Sequence, residues 1–176
     1  MRILPILLVL ALGIAGCEEK VRPSILPLPT KDPPSQESWR STVIFSDSAQ
    51  VNAILWAGHI AVYAEEEYTL LDDSIHVDLF DRSGNHTSVL TARRGKVEDR
   101  TRDFEAYENV VVISDSGTTL MTDRLFWDDS EGKIHTDAFV EIISPTEHIR
   151  GHGLISDQSL KQYRIFRVTG ESVESE

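Results

Sequence analysis

Apolar side chains recur at every second position through much of this chain, and that period constrains its fold more than any other feature. Ile60 and Val62 belong to such a run. Ile75, Val77 and Leu79 alternate with His76 and Asp78, Leu125 and Trp127 with Arg124 and Asp128, and Val140 and Ile142 with Phe139 and Glu141. In an extended chain successive side chains point to opposite faces, so each run predicts a strand with one face buried. Turn-forming residues punctuate the runs at Leu71-Asp72-Asp73, Arg82-Ser83-Gly84-Asn85, Arg100-Thr101-Arg102-Asp103, Asp115-Ser116-Gly117, Asp128-Asp129-Ser130-Glu131-Gly132 and Ser144-Pro145-Thr146. Tyr63 to Glu67 is the one stretch with helical character, and it is very short. The expected fold is all-β, with roughly ten or more short antiparallel strands joined by tight turns.

Internal similarity sharpens this expectation. Three segments superimpose at a spacing of about thirty residues. The first runs from Leu90 through Val97-Glu98-Asp99 to Phe104 and the strand Val110 to Ile113. The second runs from Leu120 through Trp127-Asp128 to Ile134 and Val140 to Ile143, and the third from Ile149 through Ser156-Asp157 to Tyr163 and Val168. Each is a strand, an Asp-containing turn and a returning strand. A single hairpin cannot bury its own apolar face, so repeated hairpins must share one core. The prediction is an elongated antiparallel β-jellyroll, or open β-sandwich, built of repeated hairpins.

The first residues carry an address. Arg2 provides a positive start, and the apolar stretch Ile3 to Leu12 is too short for a stable span of a bilayer. It ends in Leu12-Gly13-Ile14-Ala15-Gly16-Cys17, which resembles the lipobox of bacterial lipoproteins, and Cys17 is the only cysteine of the chain. An exported protein with one cysteine has no disulfide partner for it, and lipidation of the sulfur accounts for its presence. The expectation is a signal peptide over residues 1–16 and a lipidated Cys17; the alternative is an uncleaved helix with an incidental cysteine. Several acyl chains on one cysteine make a lasting anchor where a single chain does not. Pro23, Pro27, Pro29, Pro33 and Pro34 then break any helix or ladder, so 17–37 reads as an extended linker and 38–173 as one domain.

Composition and motifs exclude other classes. A net charge of −12 disfavours nucleic acid as a partner. His148 and His152 have the spacing of metal ligands on a helix, but they lie in a strand pattern around Gly151 and Gly153 that does not present them together. The chain has no Gly-x-Ser-x-Gly elbow, and Gly151-His152-Gly153 lacks the rest of a dinucleotide fingerprint. Asn85-His86-Thr87 matches a glycosylation sequon but reads as hairpin chemistry. The expectation is a protein that is not an enzyme and binds neither metal nor cofactor.

Four segments carry a resemblance to a known family: Leu90-Thr91-Ala92-Arg93-Arg94-Gly95; Glu108-Asn109-Val110-Val111-Val112; Thr119-Leu120-Met121-Thr122-Asp123-Arg124-Leu125-Phe126-Trp127-Asp128; and Ile149-Arg150-Gly151-His152-Gly153 with the strand that ends at Gly170. Over nearly the whole domain the chain resembles the LptC family, the membrane-anchored periplasmic component of the lipopolysaccharide transport machinery, with its OstA-like β-jellyroll. Well-known members carry an uncleaved transmembrane helix, where this chain has a lipobox.

The resemblance implies a bridge that takes lipopolysaccharide from an inner-membrane ABC transporter and passes it along an apolar groove to a periplasmic jellyroll protein similar to LptA. Exposing acyl chains to water costs about 0.8 kcal/mol per methylene, which is why such a route needs a groove. Ile60, Val62, Ile75, Val77, Leu79, Val110, Val112, Leu125, Trp127, Val140 and Ile142 fit its inward positions; the alternative is that they fill a dry core. The acidic chain is not expected to attract phosphate head groups, so affinity should come from burial of acyl chains. The resemblance further implies that the C-terminal edge, Gln162 to Val168 with Gln162, Arg164, Phe166 and Val168, pairs with the next jellyroll, and that Val43 to Trp56 meets the transporter. Arg164 and Arg167 read as guards against unwanted strand pairing, and Gly153 and Gly170 as bend and turn residues. It also favours the inner membrane as the seat of a periplasmic, lipid-anchored protein. The alternative function is a structural lipoprotein that scaffolds an envelope complex through its edges. Cys17→Ala is expected to abolish metabolic labelling with radioactive palmitate and to release the protein from washed membranes; labelling that persists would remove the anchor.

Overall fold

The structure is a computed structural model that describes residues 33–47 and 49–170. The expected signal peptide, Cys17 and the linker as far as Asp32 lie outside these residues. The described chain is all-β, as its alternation predicts. It comprises β1 (Gln36–Asp47), β2 (Gln50–Tyr63), β3 (Tyr68–Phe80), β4 (His86–Ala92), β5 (Arg94–Glu98), β6 (Phe104–Ser114), β7 (Thr119–Asp128), β8 (Lys133–Ile143), β9 (His148–Asp157) and β10 (Tyr163–Val168). The ten strands form one antiparallel sheet in the order β1-β2-β3-β4-β6-β7-β8-β9-β10, with β5 paired to β3 and β6. Pairing begins at Gln36, opposite Val62. Tyr63 ends β2, and residues 64–67 form the turn into β3 rather than a helix.

The strands are longer than their alternation suggests, up to 14 residues in β2, because a crease crosses the sheet and most strands continue through it. The long strands bend where they meet the bends of their neighbours. Arg40 (φ 50) lies in β1 where the register passes Gly58 of β2, and Gly58 faces the pair Asp73 and Ser74 (φ 58 and 74) of β3. Arg93, between β4 and β5, donates its N–H to the Glu108 carbonyl and accepts from the N–H of Ser74. Glu108 and Asn109 (φ 62 and 55) bend β6, and the register shifts again at 122–126 in β7 and 136–139 in β8, opposite Gly153 (φ 76) of β9. Left-handed residues and bulges bend a strand and let it pass from one sheet layer to another. The Leu71-Asp72-Asp73 turn expected from the sequence is therefore a correction: these residues stay within β3, and their turn chemistry makes a corner instead of a reversal.

The crease divides the sheet into two panels. One holds the later parts of β1, β3 and β6 with β4, the first parts of β2, β7 and β9, and the end of β8. The other holds β5 and the complementary parts. Inward residues of both panels, among them Leu55, Val77, Leu90, Val112 and Ile142 of the first and Leu71, Val97, Leu125, Ile134 and Leu154 of the second, belong to a single apolar cluster. The panels therefore face one another as the two layers of a jellyroll. The three repeats fall on β4-β5 with β6, on β7 with β8, and on β9 with β10. The remaining expected turns form as turns, and in the one after β3 the carboxylate of Asp81 accepts from the backbone N–H groups of Ser83 and Asn85 and from the Asn85 amide.

At the crease Gly58 has no room for a side chain. A Cβ on Gly58 would overlap the Asp73 carbonyl, which is backbone and cannot turn aside. Gly58→Ala is expected to cost at least about 2 kcal/mol, within the range for overpacked sites, without changing the fold class. The measurement is urea denaturation followed by far-UV circular dichroism; an unchanged midpoint would show that the corner relaxes freely.

Candidate functional site

Between the panels lies a cavity of about 450 Å3. Its walls come from both sides: Phe45, Leu55, Val77, Leu79 and Leu90 on one, Val97, Phe104, Trp127 and Ile134 on the other. That size and apolar character suit a single small amphiphile or part of a larger one. Polar residues ring the mouth, which opens at the lips of the panels away from the crease. Asp81 and Arg82 come from the turn after β3, Arg102 from the turn after β5, Asp129 and Glu131 from the turn after β7, and Asp157 and Gln158 from the end of β9. The ion pair of Arg102 with Asp129, 2.8 Å, ties two of these turns together.

The geometry separates the expected groove residues into two groups. Ile60, Ile75, Val77, Val110, Val112, Leu125, Val140 and Ile142 are buried, while Val62, Leu79 and Trp127 are partly buried against the same cluster. Only Val77, Leu79 and Trp127 of this set line the cavity; the others pack elsewhere in the interior. Phe45, Leu55, Leu90, Val97, Phe104 and Ile134 line it as well, and the expected set omits them. Leu55 is hidden in sequence because its neighbours Ile54 and Trp56 are also apolar, so this part of β2 shows no alternation. Leu90, Val97, Phe104 and Ile134 do carry a signal, since each is an equivalent position of the hairpin repeats.

Among the described residues the sheet ends in an edge strand on each side. Arg164, Phe166 and Val168 lie in β10, which pairs with β9 alone, and Gln162 lies just before the strand. Phe166 and Val168 are each 60 % exposed, two apolar side chains on the same edge strand. At the other end the edge strand is β1 by itself; Gln50 to Trp56 of the expected Val43 to Trp56 segment belong to β2, which is paired on both sides. His148 and His152 do not converge. His148 bonds to Glu141 at 2.6 Å, and the ring of His152 meets Phe139 edge-on at 5.4 Å. Among the described residues no group of three or more His, Cys, Asp or Glu is placed to hold a metal ion. No helix among them is long and apolar enough to cross a membrane.

Charge at the lips is shaped by local bonds. The backbone N–H of Asn85 is the largest of several donors that hold the Asp81 carboxyl below its ordinary value of 3.8, and the charge of Lys161 on the opposite lip acts in the same direction. Burial, followed by a hydrogen bond to Glu147, pushes the Tyr163 phenol up to about 12, so it stays a donor at neutral pH. For Asp81, whose folded value is lowered, the stabilisation is present above 3.8 and disappears as pH falls through the lowered folded value. Asp81→Asn is expected to be less stable than the parent at neutral pH and equal to it in acid, once the parent carboxyl is itself protonated. Thermal melts across that pH range check this; a deficit that is constant with pH would assign the loss to something other than the charge.

Comparison with known proteins adds the context. A family model described as lipopolysaccharide-assembly, LptC-related matches residues 6–171. No curated protein matches the chain. A match of that extent, on an antiparallel jellyroll with an apolar space between its layers, places the protein in lipopolysaccharide transport as a member of the LptC family.

Proposed function

We propose that this protein is a bridge for lipopolysaccharide: a lipid-anchored periplasmic component, without enzymatic activity of its own, that accepts the lipid from an inner-membrane ABC transporter and hands it to the next periplasmic jellyroll. The observation that carries this reading is the cavity between the panels, lined by apolar side chains and open at a polar mouth. Its walls shield acyl methylenes from water while the mouth leaves a bulky polar head outside. Affinity comes from acyl burial, since four acidic and two basic residues at the mouth offer no net attraction to phosphate.

The edges serve the handover. Among the described residues β1 and β10 are the edge strands, each hydrogen-bonded to one neighbouring strand, and an edge strand is the feature through which extended partners add to a sheet. In this reading β1 faces the transporter and β10 the periplasmic jellyroll protein, with Phe166 and Val168 supplying apolar contact. Anchoring through Cys17 and a proline-rich spacer keeps the sheet within reach of both.

A second reading draws on the same edges. Outside the cavity the interior is packed, with Leu120, Val140, Ile142 and Leu154 essentially inaccessible. A scaffold for an envelope complex, binding only through β1 and β10, would have such a core. The deciding experiment is photocrosslinking in cells with a reactive amino acid at Val77, which lines the cavity, and at Asp78, the next residue along β3. The expected result is ATP-dependent capture of lipopolysaccharide at Val77 and none at Asp78. Capture at neither position, in a protein that folds and reaches the membrane, would favour the scaffold.

A further inference from the structure

The cavity does not run through to the β10 edge, and the segment that bounds it is held in an unusual way. Between β9 and β10 the chain from Asp157 to Gln162 leaves its own panel and reaches the lip of the other. The buried hydroxyl of Ser88 in β4 donates to the carbonyl of Gln158 at 2.7 Å, across 70 residues of sequence. The side-chain amide of Gln158 donates to the carbonyl of Phe80 at the end of β3, at 3.0 Å. Two residues further on, Leu160 turns inward with a φ of 53 and is 1 % exposed within the core. A branched side chain in the left-handed region is strained, and it persists only where its surroundings hold it.

The segment is also built as a unit. The carboxylate of Asp157 accepts hydrogen bonds from the backbone N–H groups of Ser159, Lys161 and Gln162 and from the Ser159 hydroxyl. It is therefore stiff within itself and fastened to the opposite lip by a few bonds at one point. Asp157 and Gln158 form part of the cavity wall, whereas Leu120, Val140, Ile142 and Leu154 do not touch the cavity.

We propose that Asp157–Gln162 is a strap, latched across the lips by Ser88 and Gln158 and plugged by Leu160, that separates the cavity from the interior between the later strands. This inference rests on the bridge reading above. A lipid that enters at the cavity must displace the strap to reach β10, so the structure is the latched state. Withdrawal of Leu160 relieves its backbone strain and opens apolar surface that an acyl chain then covers. Ser88 and Gln158 are thus positioning residues for passage.

The test uses the full-length protein in membranes and reports on both sides of the strap. Val77→Cys places a thiol in the cavity and Ile142→Cys places one beyond it; labelling by a long-chain alkyl maleimide is read peptide by peptide with mass spectrometry. With the latch intact, Val77→Cys is expected to label and Ile142→Cys to stay protected. Adding Ser88→Ala should raise labelling at position 142 several-fold and leave position 77 unchanged, and Gln158→Ala, which also alters the cavity wall, should raise labelling at 142 likewise. Hydrogen exchange on the unmutated chain supplies a measurement free of folding defects: strap amides should exchange at least about tenfold faster than those of β7 and β8, and faster again when purified lipopolysaccharide is added. Labelling at 77 with no response at 142 to either latch variant overturns the strap while sparing the bridge, as does exchange of the strap in step with β7 and β8. Absence of labelling at 77 overturns both.

Discussion

Everything in this fold depends on the alignment of the bends. A flat antiparallel sheet of this many strands would leave one apolar face in water. Here the long strands β1, β2, β3, β6, β7, β8 and β9 carry a left-handed residue, a glycine or a register shift where their neighbours do, so the bends line up into a single crease and the apolar face closes upon itself. Gly58, pressed against the Asp73 carbonyl, shows how close the backbones come. The ion pairs of Arg94 with Asp72 and Glu108 lie along the outside of the same line. They are exposed and individually weak, which leaves the geometry of the bends and the shared core as the forces that hold the corner.

From that corner follow the cavity and the edges. Two facing panels that meet at a crease are free to part at the opposite lips, and the space between them takes its character from side chains already forced inward by the pleat. Where those side chains are large and interlock, as with Leu120, Ile142 and Leu154, the space is filled. Where the first strands diverge from β7 and β8, Trp127 and Phe104 line an opening instead. The hydrogen bond of Tyr163 to Glu147 joins the lips near β10. The same sheet is thus closed toward its C-terminal edge and open toward its N-terminal one.

Much of this was legible in the sequence, for reasons that can be stated. Strand faces follow strictly from period two, so Ile75, Val77, Leu79, Val140 and Ile142 are inward as expected. The hairpin repeats follow from spacing, and the jellyroll from both. The corners were not legible, because Asp72-Asp73 has the composition of a turn whether the chain reverses or merely bends; the outcome depends on the neighbouring strand, which local sequence does not contain. The cavity was legible only in part. Whether an inward residue meets another side chain or an empty space is set by how two panels diverge, so Val77 and Ile142 look alike in sequence and differ in surroundings. The strap left no sequence signal: Asp157-Gln158-Ser159 has the composition of any exposed loop, and its partners Phe80 and Ser88 lie far back in the chain.

Strand order follows chain order almost without exception, β5 being a short diversion within the β3 to β6 path. Each strand therefore meets its partner as soon as the next turn is made, with little loop entropy to overcome, and a sheet of this kind assembles by sequential zippering rather than by a search for distant partners. Ser88 and Gln158 are the contrast. Their bond must wait until nearly all the intervening strands are in place, so the closure of the lips is a late event in folding, and a nascent chain would form its open sheet before it forms its enclosed interior.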